Sequence, residues 1–110
     1  MGKTKIYNKL VRDRIPEIIS RSGKTFNTRQ LTSEEYIREL KNKALEELNE
    51  FINSNNKHDA GEELADLLEV MHSLAEYNGF DFTEIEEIRQ HKEKSRGGFK
   101  NRIYLIEVEY

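Results

Sequence analysis

A chain of 110 residues is long enough for one small domain, and we treat residues 1–110 as that domain. The formal net charge of −3 is unlike that of a general nucleic-acid binder, and the absence of cysteine excludes disulfides, thiolate zinc sites and thiol catalysis. Hydrophobic and charged residues each make up 35% of the chain, which favours amphipathic helices. No apolar run approaches the roughly 20 residues that cross a bilayer, and the charged start lacks a secretion signal. We therefore expect a soluble cytoplasmic protein with no membrane or nucleic-acid partner.

The first part of the chain predicts a short helix between irregular segments. Residues 6–12 mix apolar and basic side chains. Asp13 is a candidate cap for a helix that has Pro16 in its first turn, and Gly23 is placed to end it. Residues 24–31 are predicted to form a loop or a short extended segment.

Two long amphipathic helices follow. Thr32 and Glu35 have the spacing of a capping box, and the asparagine-rich residues 53–56 end the first long helix. Asp59 and Glu62 offer a similar start to the second. Apolar residues recur at helical spacing in both, at Ile37, Leu40, Leu45, Leu48 and Phe51, and at Leu64, Leu67, Leu68, Met71 and Leu74.

The last part of the chain predicts one more helix and then a change of periodicity. Gly79 is expected to end the second long helix, and Thr83 with Glu86 to cap a further helix that reaches about Arg96. From Phe99 onward apolar and polar residues begin to alternate, as in a half-exposed strand. We predict a mainly α fold built on a long antiparallel helix pair, with a short C-terminal β-strand.

Two short acidic motifs face each other across the turn between the long helices. Each places two acids three residues apart, which puts both on one face of a helix. The four acids are Glu47, Glu50, Glu63 and Asp66. With the turn near residues 55–57, Glu50 is expected level with Glu63, and Glu47 level with Asp66. Four carboxylates this close repel one another unless a cation lies between them.

A solvated acidic face is the alternative, with Lys43 paired to Glu47 or Glu50 along the helix. The second motif weighs against it, because its acids have the same helical offset from the apolar stripe as the first. The pattern therefore favours a metal site. Carboxylate donors without histidine or cysteine are typical of Mg²⁺, with Mn²⁺ possible.

The acidic motifs also resemble those of a known enzyme superfamily. Residues 46–50 and 63–66 resemble the EExxE…ExxD pattern of the all-α nucleoside triphosphate pyrophosphatases, which include the MazG proteins. Residues 7–16 and 96–99 resemble segments of its phosphoribosyl-ATP pyrophosphohydrolase-like branch. Together these matches extend over nearly the whole chain.

The resemblance implies a MazG-like helical bundle and Mg²⁺-dependent cleavage between the α- and β-phosphates of a (d)NTP or modified nucleotide. The products would be a nucleoside monophosphate and pyrophosphate. By position, Glu47, Glu50, Glu63 and Asp66 would be metal ligands. Glu46 would be a catalytic acid that orients a ligand or the attacking water.

Basic residues near both ends are candidates for binding the substrate phosphates, because arginine and lysine supply the donors and charge that phosphate requires. They are Lys9, Arg12, Lys94 and Arg96. For the last two the alternative is a basic helix end followed by Gly97.

Other functions stay open at this point. One is hydrolysis of phosphoribosyl-ATP itself, although the short chain and the flanking segments favour general nucleotide clearance. Another is a non-catalytic module that binds nucleotide or metal, and a third is a helical interaction protein. The two long helices make half of a four-helix bundle, so a homodimer or higher oligomer is expected.

Overall fold

The computed structural model describes residues 2–110. It contains four helices, α1 (Ile15–Arg21), α2 (Ser33–Ile52), α3 (Lys57–Tyr77) and α4 (Phe82–Arg96). Helices α2 and α3 pack together along their length, and α4 makes a smaller contact with α3. The predicted mainly α class and the long helix pair are confirmed.

The predicted C-terminal strand is not present among residues 2–110, where no segment forms a strand. A turn near residues 99–101 follows α4, and the chain beyond it is irregular. All side chains after Glu86 are exposed. The alternating tail therefore has no neighbouring strand within the chain to supply the hydrogen bonds of a sheet.

The start of α2 was predicted correctly. The Thr32 side chain accepts a hydrogen bond from the Glu35 backbone amide, and the Glu35 carboxylate accepts one from the Thr32 amide. Arg29 adds two hydrogen bonds to the same carboxylate, at 3.1 and 2.8 Å. These contacts satisfy amide groups that have no partner inside the helix.

The predicted caps of α3 and α4 were placed too late in the chain. Helix α3 is capped by Asn56, whose side chain accepts from the Asp59 amide at 2.9 Å, so Asp59 lies inside the first turn. Helix α4 is capped by Asp81 in a box with Glu84 rather than by Thr83. In both cases an earlier residue of equal capping ability was available, and the helix extends back to it.

The short helix α1 also differs in its cap. Arg14, not Asp13, occupies the capping position, and no side chain accepts a hydrogen bond there. Pro16 lies in the first turn as predicted, where its missing amide hydrogen costs nothing. Gly23 follows the helix with a φ of 82°, a left-handed conformation that glycine adopts freely.

The apolar core of the described residues is small. Leu40, Val70 and Ala75 are the only apolar side chains in it that are buried. Glu47 on α2 is also buried, with 6% of its surface exposed. An acid therefore occupies a place in the α2–α3 interface that an apolar residue would fill in an ordinary helix pair. In residues 2–110 no helix combines the length and the hydropathy that a membrane span requires.

Candidate metal centre

The α2–α3 interface brings three of the four predicted ligands together. Glu47 and Glu50 come from α2 and Glu63 from α3. One carboxylate oxygen of each residue lies within 4.8 Å of those of the other two. We call these three residues the glutamate cluster. Its span is small enough for a single cation to contact all three carboxylates.

The fourth predicted ligand, Asp66, lies beside the cluster and not within it. It is close enough for its charge to act on Glu47. Its Oδ1 atom accepts a hydrogen bond of 2.7 Å from the Arg12 guanidinium. Asp66 therefore already has a cationic partner from the N-terminal segment, which the glutamates of the cluster do not share.

Two oxygen atoms of the cluster are buried without a hydrogen-bond partner from the protein. They are the Oε2 atoms of Glu47 and Glu63. Burying a carboxylate oxygen without a partner carries a large desolvation cost, which a bound cation removes. These unpartnered oxygens are the clearest structural sign of a ligand between α2 and α3.

The electrostatics of the cluster agree with that geometry. Burial raises the pKa of the Glu47 carboxyl, and the charges of Glu50 and Asp66 raise it further, although a hydrogen bond with Glu63 acts in the opposite direction. Hydrogen bonding with Glu50, together with burial and the nearby Glu47, raises the pKa of Glu63 to about 7. Without a cation, the cluster therefore favours holding a proton near neutral pH.

Glu46 lies next to the cluster between two lysines. Lys9 approaches its carboxylate to 3.5 Å, and Lys43 approaches the other oxygen to 3.6 Å. Lys43 also lies 3.7 Å from the Glu47 carboxylate. The alternative of a solvated acidic face predicted this pair between Lys43 and Glu47. The structure contains both the pair and the glutamate cluster.

The N-terminal segment brings two predicted phosphate-binding residues to the acidic site. Lys9 contacts Glu46 on α2 and Arg12 contacts Asp66 on α3, so this segment bridges both helices. The backbone turns at Asn8, with a φ of 46°, immediately before Lys9. Asparagine tolerates that left-handed conformation better than most residues.

The other two predicted phosphate-binding residues are not part of the site within this chain. Lys94 and Arg96 lie in the last turn of α4, where both are exposed. No ion pair joins either of them to the acids of α2 and α3 in residues 2–110. Their position fits the alternative interpretation, in which basic residues favour a helix C-terminus and Gly97, with a φ of 83°, follows it.

The donor set fits a hard divalent cation. The cluster offers only carboxylate oxygens, which suit Mg²⁺ or Mn²⁺, and the described residues place no histidine or cysteine in it. Glu50 is exposed, so the cluster is open to solvent on one side. An open side allows a phosphorylated ligand to reach a cation held there.

No protein-family model, no curated protein and no solved structure compared with this chain matches it. The residues of the site therefore carry the functional assignment.

Proposed function

We propose that this protein is a Mg²⁺-dependent nucleoside triphosphate pyrophosphohydrolase, built as a MazG-like helical bundle. It would cleave the α–β phosphate bond of a (d)NTP or modified nucleotide, releasing a monophosphate and pyrophosphate. The observation that carries the proposal is the pair of buried, unpartnered carboxylate oxygens on Glu47 of α2 and Glu63 of α3, in a cluster of three glutamates whose ligand oxygens lie within 4.8 Å of one another. The resemblance of the motifs at residues 46–50 and 63–66 to those of the all-α pyrophosphatases supplies the reaction.

In this proposal Glu47, Glu50 and Glu63 would hold the cation, and Asp66 would be a fourth ligand if Arg12 bonded a substrate phosphate instead of the Asp66 carboxylate. A bound Mg²⁺ would neutralise phosphate charge and activate water for attack on phosphorus. A cation is needed because the acids of α2 and α3 would otherwise repel a triphosphate.

The chain's own basic groups position the substrate. Arg12 presents a guanidinium that can donate two parallel hydrogen bonds to a phosphate, and Lys9 supplies a second charge nearby. Both lie at the site already, paired with acids that hold them in place. Glu46, between Lys9 and Lys43, is positioned to orient these cations or to accept a proton from the attacking water.

The decisive experiment measures pyrophosphate release from a panel of nucleotides. The panel contains the canonical NTPs and dNTPs, oxidised and methylated derivatives, and phosphoribosyl-ATP. Each is tested with Mg²⁺, with Mn²⁺, and with EDTA. We expect pyrophosphate and a monophosphate in equal amounts, and no release with EDTA.

The pattern of products separates the proposal from its alternatives. Release from phosphoribosyl-ATP alone would assign the biosynthetic substrate instead of nucleotide clearance. No turnover, but a rise in melting temperature that needs both Mg²⁺ and nucleotide, would indicate a binding module. Release of orthophosphate in place of pyrophosphate would show that the wrong bond has been assigned.

A further inference from the structure

The N-terminal segment contacts the acids that flank the glutamate cluster. Lys9 pairs with Glu46 on α2, and Arg12 pairs with Asp66 on α3. We call residues 9–12 the N-terminal strap. In the described part of the chain, no ion pair joins the strap to the three glutamates of the cluster itself. The strap therefore neutralises the flanking acids and leaves the cluster open to a cation.

Asp66 lies close to the cluster, but a cation of the chain already holds it. It follows Glu63 by three residues on α3, which places both side chains on one face of the helix. The charge of Asp66 also acts on Glu47 across the interface. The Arg12 guanidinium donates a hydrogen bond of 2.7 Å to the Asp66 Oδ1 atom. A guanidinium at this distance repels a second cation, so it competes with a metal ion for the same carboxylate.

The pair of Arg12 and Asp66 is one that a phosphate group can break. The two side chains are 56% and 38% exposed, and an ion pair with this much contact with water contributes little to stability. A phosphate carries more negative charge than a carboxylate and can accept two parallel hydrogen bonds from a guanidinium, whereas Asp66 accepts one. An incoming phosphate therefore has access to Arg12 and an advantage over Asp66.

The pair of Lys9 and Glu46 has no such consequence. Glu46 has a second cation, because Lys43 lies 3.6 Å from its other carboxylate oxygen. Departure of Lys9 therefore leaves Glu46 paired. Within the described residues, by contrast, Arg12 is the only cation paired with Asp66.

We propose that Arg12 is a positioning residue that withholds Asp66 from a divalent cation until a phosphate group binds the guanidinium. The cation and the phosphate then bind with positive cooperativity, because each ligand removes a competitor of the other. The site thereby favours a metal ion that arrives with a phosphate over a free metal ion. This inference rests on the proposed function for the identity of the two ligands.

The first test measures protein-bound Mn²⁺ by equilibrium dialysis, without nucleotide or turnover. Arg12→Gln should tighten Mn²⁺ binding by about tenfold, which is within the usual range of coupling between two ligands. Loss of a positive charge raises affinity for a cation in any case, so the substitution is repeated in Asp66→Asn, where no carboxylate is left to release. There it should change the affinity by less than about threefold, and so should the matched control Lys9→Gln in the unmodified background.

The second test adds inorganic pyrophosphate at one concentration on both sides of the membrane. Pyrophosphate binds Mn²⁺ in solution, so its effect on the unmodified protein is compared with its effect on Asp66→Asn. It should tighten Mn²⁺ binding to the unmodified protein by about tenfold more. Asp66→Asn retains Arg12, so the difference reports the release of Asp66. This comparison does not depend on whether the Arg12 variant folds.

Three results would overturn the inference. One is an affinity for Mn²⁺ that Arg12→Gln leaves unchanged or weakens. Another is an equal gain with and without the Asp66 carboxylate, since Arg12 would then act only through its charge. The third is an equal effect of pyrophosphate on the unmodified protein and on Asp66→Asn. In each case Mn²⁺ still binds and the proposed function stands. If no protein binds Mn²⁺ with or without pyrophosphate, the proposed function fails together with the inference.

Discussion

Two groups of acids in this protein have opposite electrostatic environments. On α4, Arg89 lies between Glu86 and Glu93 and donates to both at distances down to 2.7 Å. The arginine holds the pKa of Glu86 below its usual value, and the two carboxylates hold the pKa of Arg89 above its own. In the glutamate cluster, the pKa values of Glu47 and Glu63 are raised instead.

The difference comes from where the cation is supplied. On α4 the arginine is spaced three and four residues from its acids, so two consecutive helix turns satisfy all three groups in solvent. Between α2 and α3 the glutamates meet in a partly buried interface, and neither helix offers the cluster a guanidinium. The first arrangement is complete in itself. In the glutamate cluster, Lys43 approaches one oxygen of Glu47 to 3.7 Å, but the Oε2 atoms of Glu47 and Glu63 have no hydrogen-bond partner and are left for a proton or a bound cation.

The largest expected effect is on catalysis. Glu63→Gln keeps the size of the side chain but removes a charged ligand, and should lower Mg²⁺-dependent pyrophosphate release by more than about 100-fold. Loss of a group that merely supports a metal ligand costs about 10 to 100-fold. Glu86→Gln on α4 is the matched control and should retain full activity. Equal losses in the two variants would contradict the contrast between the two acid groups.

Metal binding should show the same contrast in stability. In the unmodified protein, Mg²⁺ at a hundred times its dissociation constant should stabilise the fold by about 2.7 kcal/mol, because only the folded state presents the cluster. Glu63→Gln should lose most of this gain, and Glu86→Gln should keep it. Thermal unfolding at several Mg²⁺ concentrations measures the effect. A gain that survives Glu63→Gln would place the ion elsewhere.

The N-terminal segment should affect substrate binding more than turnover. Arg12→Ala should raise KM by about tenfold, the loss of one charge-assisted hydrogen-bond partner, with a smaller change in kcat. Arg29→Ala is the control, because Arg29 also pairs with an acid but at the start of α2, on Glu35. A fall in kcat alone for Arg12→Ala would indicate that Arg12 positions Asp66 without contacting the substrate.

The stability of the metal-free protein should fall as the pH rises, whereas a carboxylate paired with an arginine, such as Glu86, loses stability as the pH falls. Because the pKa of Glu63 rises from 4.5 to about 7 in the folded protein, the folded state binds more protons than the unfolded state between these two pH values. The metal-free protein should therefore lose stability as the pH rises from about 4.5 to about 7. Melting curves in EDTA measure this loss, and Glu63→Gln should flatten it.

The smallest effect is expected on α4. Arg89→Ala removes an exposed ion-pair network, and such networks contribute little in water. The melting temperature should change by less than about 4 °C, and Mg²⁺ should stabilise this variant as much as the unmodified protein. A larger loss would show that α4 is packed against another surface, such as a second copy.

Much of the fold follows from local sequence signals. The helical periodicity between Thr32 and Gly79 predicted the two long helices, and the asparagine-rich turn made them neighbours. The capping-box pattern predicted the start of α2 correctly. It placed the starts of α3 and α4 at the wrong residues, because several residues near each start could serve as a cap. Helix boundaries depend on this local competition and are hard to predict.

The candidate site was predicted less completely. Spacing alone brought Glu47, Glu50 and Glu63 together, since it follows from the geometry of an antiparallel pair. Spacing could not show that Asp66 would accept a hydrogen bond from Arg12, because that contact joins residues 54 positions apart. Lys94 and Arg96 were candidates because of their charge, with a basic helix end as the alternative. Charge alone could not show that they would lie in the exposed last turn of α4, away from the acids of α2 and α3.

The spacing of residues along the chain is enough to show that α2 and α3 are amphipathic and that each carries its acids and its leucines at the same offsets, because helix geometry converts spacing into direction. Which acids lose contact with water, which of them find a cation, and which apolar side chains stay exposed depends on how the helices pack. Burial is a property of neighbouring elements and not of one helix. The unpartnered oxygens of Glu47 and Glu63 could therefore be recognised only once the two helices were packed together.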